Sequence, residues 1–353
     1  MDSVLKAFHQ EISDLRNLLQ FYETESRLLD TFTSSPTSKE EHIIFELSEK
    51  LKSFRLSKLQ FNYNSFVISL YGSFERFIEN CITTYIETLN NLITVYLNLP
   101  ETILKNHFLF SLSLITKIEQ PRYSGPLTKE EVIKNLHTCI NTHDMYQLNK
   151  DAFAQHTANF RLQVVEESFS NIGLLQLSQK ILKTKSFQSY CIISLGISPE
   201  IDLVPTEAFQ ILNDLAEYRN QVAHGITCDI LTNDILLDYL VFFESFSSAL
   251  IEVLQENILF RELESNGEEL GEITDVYQGG RVVCFKTNYM ALKKGDLLVG
   301  KNKEFIVKAS IKGMKLNDKN IDAVDDKDNY EVGVEIDTNF KKSFKIYLLH
   351  ARI

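Results

Sequence analysis

The most informative stretch of this sequence is Glu217–Gly225, which reads EYRNQVAHG. Upstream of it, apolar residues recur with helical spacing, so we expect a helix that has Thr206 as its N-cap and ends at the glycine. At about 100° per residue, Asn220 and His224 lie one above the other on such a helix, and Arg219 lies beside them. The spacing therefore predicts that all three side chains face one cleft.

These three side chains have the chemistry needed to handle a phosphodiester. Arginine keeps its charge and can hold a phosphate through two parallel hydrogen bonds. An imidazole can exchange a proton at neutral pH. Together they suit RNA cleavage in which the ribose 2′-hydroxyl is deprotonated and attacks the adjacent phosphorus, a route that requires no metal. Asn220 would orient the imidazole or bind the scissile phosphate.

The pattern Arg219-Asn220-x-x-x-His224 resembles the R-N-x-x-x-H signature of the HEPN superfamily, in its RiboL-PSP-like branch. Two other segments are similar to all-helical HEPN proteins: Asn159–Leu174 and Tyr71–Ile78. The resemblance spans roughly residues 1–260. It implies a metal-independent endoribonuclease without a cofactor, with these three residues as the catalytic set. It also implies a homodimer that builds the site from two motif helices, and a role as a toxin or phage-defence effector.

Two further charged residues bear on this hypothesis. Arg161 would reach a phosphate if its helix faces the motif helix. Glu75 would orient His224 or Arg219, and the alternative is an exposed glutamate that pairs with Arg76 or with the neighbours of Glu79. We include neither in the catalytic set.

The charge of the chain argues against indiscriminate binding of RNA. The net charge is −12, and residues 271–353 hold 15 Lys and Arg against 12 Asp and Glu, which leaves 21 against 36 for residues 1–270. An acidic helical part repels bulk RNA and favours a selected or delivered substrate held in a local cationic cleft. The acidity also favours the alternative function, a non-catalytic HEPN-like module that dimerises and binds RNA or a protein.

Most of the chain has the periodicity of helices. We expect helices at about 4–29, 39–53, 67–92, 101–119, from Thr128 onward, 149–173, 206–225 and 232–262, with the third and last helices antiparallel in a bundle. The composition changes at Ser265–Gly267, and seven of the thirteen glycines follow residue 270. The predicted class is therefore mainly α, with a HEPN-like helical domain at 1–264 and a small antiparallel β-barrel at 265–353.

The expected strands of the barrel show period-two alternation between turn residues. Three segments resemble the second-domain β-barrel of translation elongation factors, which implies a module that touches RNA ends, tRNA or translation components; a generic small barrel is the alternative. These segments are Leu292–Leu298, Phe305–Lys308 and Tyr330–Ile336. The strands are expected at Gly271–Tyr277, Arg281–Lys286, Glu304–Ala309, Tyr330–Ile336 and Phe344–Leu349.

Other patterns exclude several classes of protein. The five cysteines are scattered without C-x-x-C spacing, which indicates reduced thiols. The sequence shows neither a signal peptide nor an apolar span long enough to cross a bilayer, so we expect a cytoplasmic protein without a membrane partner. A sensor or antitoxin protein is the other partner that the resemblance implies. No G-x-x-x-x-G-K-[ST] motif is present, which argues against GTPase activity. Three weak patterns are interpreted as structural: the His137, Cys139, His143 and Asp144 set, the Asp322–Asp328 run, and the Gly279–Gly280 turn.

Overall fold

The computed structural model describes residues 1–31, 38–120, 127–142, 145–198, 203–226, 229–303 and 305–350. Contacts divide the chain into two compact units, residues 1–90 with 94–253 and residues 91–93 with 254–353. The first unit is helical and the second consists mainly of antiparallel strands, which confirms the predicted fold class at this level. The proposed domain bounds, 1–264 and 265–353, stay a prediction.

The helices begin and end as follows: α1 (Asp2–Thr31), α2 (Lys39–Ser53), α3 (Arg55–Leu92), α4 (Glu101–Lys117), α5 (Lys129–Asn141), α6 (Lys150–Phe153), α7 (Leu162–Ser170), α8 (Leu177–Leu182), α9 (Lys185–Leu195), α10 (Pro205–Ala208), α11 (Gln210–Ala223) and α12 (Asn233–Asn266). The predicted bounds of α2 are confirmed, and a capping box between Ser38 and Glu41 explains where it begins. The start of α3 was predicted twelve residues too late. Exposed apolar side chains at Leu56 and Phe61 obscure the helical periodicity there.

The single helix predicted for 149–173 is wrong. Residues 154–161 separate α6 from α7, because backbone N–H groups in and after this segment bond to side chains of other helices. The N–H of Phe160 donates to the Tyr71 hydroxyl at 3.0 Å, and the N–H of Leu162 donates to Oδ1 of Asn213 at 3.1 Å. These bonds replace the intrahelical pattern and fasten the segment to α3 and α11.

The predicted start of the motif helix is also wrong, whereas its end is confirmed. Thr206 lies inside the short α10, and α11 begins after Phe209. Phe209 is fully buried and packs against Phe187 and Phe246, so the chain bends there to bury the ring. At the other end Gly225 has φ of +66°, a conformation that favours glycine and closes the helix.

Aromatic side chains hold the long helices together. Phe8 of α1 stacks on Phe77 of α3 at 4.5 Å between ring centroids, and Phe74 of α3 lies 4.9 Å from Phe243 of α12.

Lys58 at the start of α3 pairs with Glu25 near the end of α1, so α1 runs antiparallel to α3. Tyr63 of α3 interacts with Tyr239 of α12, and Phe74, about three turns further along α3, packs against Phe243 and Phe246. The two helices therefore run parallel, and the expected antiparallel packing of the last helix against the third is wrong.

A buried histidine links α4 to two neighbouring segments. The backbone N–H of Asn149 donates to Nε2 of His107 at 3.0 Å, which leaves Nδ1 as the protonated nitrogen, 3.1 Å from the Tyr96 hydroxyl. Burial lowers the pKa of His107 from 6.5 to about 4. The imidazole is therefore neutral in the folded chain at neutral pH.

Because the pKa of His107 is lowered in the folded chain, we expect the protein to lose stability in mild acid. The contribution of this histidine is complete above pH 6.5 and declines as the pH falls towards 4, because only the unfolded chain takes up the proton in that window. We expect the free energy of unfolding to fall by about 3 kcal/mol from this group across the window. Urea unfolding at several pH values measures it. His107→Gln should flatten the dependence, and the same slope in His107→Gln as in wild type would contradict the assignment; His137→Gln, on the exposed face of α5, is the matched control.

The second unit is built on an antiparallel sheet. Its strands are β1 (Gly267–Glu272), β2 (Asp275–Tyr277), β3 (Val282–Lys286), β4 (Leu292–Lys293), β5 (Leu297–Lys301), β6 (Ile306–Leu316), β7 (Lys319–Ile321), β8 (Ala323–Val324), β9 (Glu331–Ile336) and β10 (Lys345–Leu349). The sheet order is β1-β10-β5-β6-β9-β3-β2, β7 pairs with β6, and β4 pairs with β8. All five expected strand regions are present, although Glu304 lies outside the described residues.

The sheet is not the closed barrel that we expected. Closure requires a ladder between β1 and β2, the two ends of the sheet order, and none joins them among the described residues. The chain passes from β1 to β2 through Ile273 and Thr274 without a hairpin. The Thr274 N–H already bonds to the Cys284 carbonyl of β3, and β1 pairs with β10 instead.

Strand β5 was missed because its residues do not alternate. Leu298, Val299 and Gly300 are all buried. Leu298 packs into the main core of the sheet, whereas Val299 packs against Leu263 at the end of α12. A strand that is covered on both faces loses the period-two signal.

A pair of glycines makes the turn between β2 and β3. Gly279 and Gly280 both have positive φ and form the predicted turn before β3; a Cβ on Gly280 would lie 2.4 Å from the Phe340 carbonyl oxygen.

The cysteines within the described residues are free thiols, and Cys228 lies outside them. Over the same described residues, every helix is too short or too polar to cross a membrane.

Candidate functional site

The three predicted catalytic residues lie together at the C-terminal end of α11. Arg219 and Asn220 are in its last turn and are half-buried, while His224 follows the helix and is exposed. The backbone N–H of His224 bonds to the Asn220 carbonyl at 3.0 Å, which places the histidine one helical turn beyond the asparagine. The imidazole is thus open to a ligand or to a second copy of the chain.

The Asn220 side chain is held by two donors. Nδ2 of Asn159 donates to Oδ1 of Asn220 at 2.5 Å, and a guanidinium nitrogen of Arg219 donates to the same oxygen at 3.4 Å. Since the oxygen accepts both bonds, the amide nitrogen of Asn220 is directed to the other side and can donate to a phosphate. Asn159 belongs to the segment between α6 and α7 that the sequence predicted to be helical.

The side chain of Tyr71 on α3 lies against Arg219. The Arg219 guanidinium lies over its ring, 5.5 Å from the centroid, an arrangement in which the ring attracts the cation. Burial raises the pKa of Tyr71 to about 12, the Phe160 N–H acts in the opposite direction, and the charge of Glu75 adds to the increase. The phenol therefore keeps its proton and serves to position Arg219 and the Phe160 backbone.

Arg161 does face the motif helix, as its accessory role requires. Its guanidinium donates to Glu217 of α11 at 2.7 Å, and both side chains are about half exposed, at 45% and 51%. The pair holds the start of α7 beside α11. Because a guanidinium has five N–H donors, the bond to Glu217 leaves others that can reach a phosphate.

Glu75 and its neighbour Arg76 contact different parts of the chain. Arg76 donates to Glu11 of α1 at 2.7 Å. Glu75 lies 3.1 Å from Nε2 of His156, and Glu79 lies 2.9 Å from the same nitrogen. Sequence reasoning missed His156 and Glu79, although Glu75-x-x-x-Glu79 was a usable signal because residues four apart share a helix face.

His137 and Cys139, the two described residues of the other candidate metal set, lie on different sides of α5. His137 is exposed on α5 while Cys139 is buried, its thiol donates to the Gln147 carbonyl, and burial raises its pKa to about 11. His143 and Asp144 lie outside the described residues. The four aspartates of the run Asp322–Asp328 are exposed. Asp322 precedes the short strand β8, and the other three follow β8 in a bend, so the interpretation as a solvated turn holds only for that second part.

The helical unit thus carries an arginine, an amide and an exposed histidine at one helix end, and a family match indicates that it is a nuclease-like or RNA-binding module. The family model described as RiboL-PSP-HEPN matches residues 35–256, more than half of the chain. The chain therefore belongs to the RiboL-PSP-HEPN family. The matched region begins before α2 and ends within α12, so it does not include the sheet. No curated protein matches this chain.

Proposed function

We propose that this protein is a metal-independent endoribonuclease whose catalytic residues are Arg219, Asn220 and His224. The observation that carries the proposal is the joint placement of Arg219 and Asn220, linked to each other and to Asn159, one turn before an exposed His224. Membership of a family of HEPN domains supports it, since these domains are generally ribonucleases. The alternative is an RNA- or protein-binding module without catalysis.

In this mechanism the imidazole of His224 takes the proton of the ribose 2′-hydroxyl. The oxygen attacks the adjacent phosphorus, the bond to the 5′-oxygen breaks, and that oxygen takes up a proton from a second, protonated group. The products carry a 2′,3′-cyclic phosphate and a 5′-hydroxyl. Arg219 stabilises the charge on the phosphate through paired N–H bonds, and Asn220 adds an amide donor.

A homodimer fits the exposed position of the histidine. Base and acid steps at one phosphodiester need two proton-transferring groups, and each chain offers one His224 at its motif helix. A second copy that approaches this end of α11 would supply the other imidazole. The exposed side chain makes such an approach possible without unfolding any part of α11.

The acidic charge of the chain favours a selected RNA. A net charge of −12 repels polynucleotides in general, and the cations at the site include Arg219 and Arg161. We propose a defined RNA, such as tRNA or a translation-associated RNA, that the C-terminal sheet helps to select. In this proposal the protein acts as a toxin or phage-defence effector, with an antitoxin or sensor protein as its regulator.

The first test is the chemistry of the products. Purified full-length protein should cleave RNA in the presence of EDTA and leave 2′,3′-cyclic phosphate and 5′-hydroxyl ends, which end-specific ligation or mass spectrometry of the fragments identifies. Cleavage that EDTA abolishes, or fragments with 5′-phosphate ends, would overturn the proposed mechanism. Binding of RNA without any cleavage would instead support the non-catalytic alternative.

A further inference from the structure

A cluster of two carboxylates and one imidazole lies beside the candidate site. Glu75 and Glu79 belong to α3, and His156 belongs to the segment between α6 and α7. One ligand-type atom of each residue lies within 4.8 Å of the other two, and both carboxylates contact the same imidazole nitrogen, Nε2. The proposed ribonuclease mechanism does not use this cluster.

The geometry of the histidine suits a ligand to a metal ion. Nδ1 of His156 donates to the Ala158 carbonyl at 2.9 Å, which fixes the tautomer and leaves the lone pair of Nε2 for an ion. The imidazole lies 4.3 Å from the Phe160 ring and is only 9% exposed, so its orientation is restricted. A backbone carbonyl as partner of the second nitrogen is the usual support of a metal-bound histidine.

Two of the three separations between the ligand atoms fit a small divalent cation. Ligands about 2.1 Å from an ion lie about 3.0–3.4 Å from each other at octahedral or tetrahedral angles. The observed separations from Nε2 are 3.1 Å to Glu75 and 2.9 Å to Glu79. The two carboxylates are 31% and 23% exposed, so an ion can enter from solvent.

A salt bridge between a protonated His156 and the two carboxylates explains the arrangement of these atoms less well than a bound metal ion does. With Nδ1 engaged by Ala158, an imidazolium has one N–H left, and one N–H cannot form two straight hydrogen bonds to two carboxylates. Two adjacent carboxylates also repel each other, whereas a divalent cation neutralises both charges. A mixed set of one nitrogen and two oxygens favours Zn²⁺ or Mn²⁺ over Ca²⁺, which prefers oxygen ligands alone.

We propose that Glu75, Glu79 and His156 bind one first-row divalent cation, Zn²⁺ or Mn²⁺. The ion ties α3 to the segment that carries Asn159 and Phe160, which contact Asn220 and Tyr71. The ion has a structural role and takes no part in the chemistry at the phosphate. The proposal does not depend on ribonuclease activity.

The test measures ion binding to the full-length chain in the absence of RNA. Protein stripped with EDTA and transferred to EDTA-free buffer is titrated with ZnCl₂, and separately with MnCl₂, in a calorimeter. We expect one ion per chain. At an ion concentration about 100 times the dissociation constant, the melting temperature should rise by about 5–10 °C.

His156→Gln and Glu79→Gln should each weaken binding by at least about 10-fold and remove the thermal shift. Glu87→Gln is the matched control, because Glu87 lies two turns further along α3 and pairs with Lys150 instead. Two changes in the same site guard against a variant that fails to fold. Absence of binding in the wild type, or equal binding in wild type and in folded site variants, would overturn the proposal. Ion binding is measured without RNA, and the end groups of the cleaved RNA are measured without the ion, so failure of one proposal is distinguishable from failure of the other.

Discussion

Replacing His224 by alanine is expected to reduce the rate of RNA cleavage by about 10²–10⁴-fold, the usual contribution of a general acid–base group. The loss should appear in kcat, since the imidazole moves a proton and does not carry the phosphate. The fold should be unaffected, because the side chain is exposed and follows the last turn of α11. Single-turnover cleavage of a labelled RNA measures the rate, and thermal melting checks the fold.

The matched control for this experiment is His137→Ala. His137 is also an exposed histidine, but it lies on α5, and it has no place in the proposed mechanism. Cleavage by this variant should equal that of the wild type. Undiminished cleavage by folded His224→Ala would remove the histidine from the mechanism. Equal effects on growth from expression of the wild type and of the Arg219→Ala/His224→Ala double variant would favour the non-catalytic module.

The helical fold was largely readable because helix periodicity is a local signal. The bounds of α2 and the stop of α11 at Gly225 follow from residues that lie next to each other in the chain. The break at residues 154–161 could not be read in this way. Its backbone partners, the Tyr71 hydroxyl and the Asn213 amide, lie far away in the sequence. Spacing alone does not reveal a contact that tertiary packing creates.

The candidate site was likewise predictable from the sequence only where its residues are neighbours in the chain. Arg219, Asn220 and His224 share one helix end, so their proximity follows from spacing of one and four residues. Asn159 and His156 reach the site from another segment, and no periodicity connects them to α11 or α3. The open sheet is a similar case, since the alternation of β1 and β2 predicts strands but not which edges pair.

The candidate site depends on an aromatic core that joins the two long helices. Phe246 of α12 is 1% exposed and contacts three other buried rings. Phe74 among them directly precedes Glu75 on α3, and Phe209 immediately precedes the first residue of α11. The ring therefore sets the distance between α3 and the motif helix. Loss of the ring leaves a cavity that the surrounding helices fill only in part.

Phe246→Ala is accordingly expected to lower the free energy of unfolding by about 3–5 kcal/mol. Urea unfolding followed by helical circular dichroism measures the change, since the ring belongs to the helical unit. The matched control is Phe21→Ala on α1, where the ring is 61% exposed and the change should stay within about 0.5 kcal/mol. A similar, small loss in both variants would mean that Phe246 does not hold α3 and α11 together, and the placement of Arg219 beside Tyr71 would then need another cause.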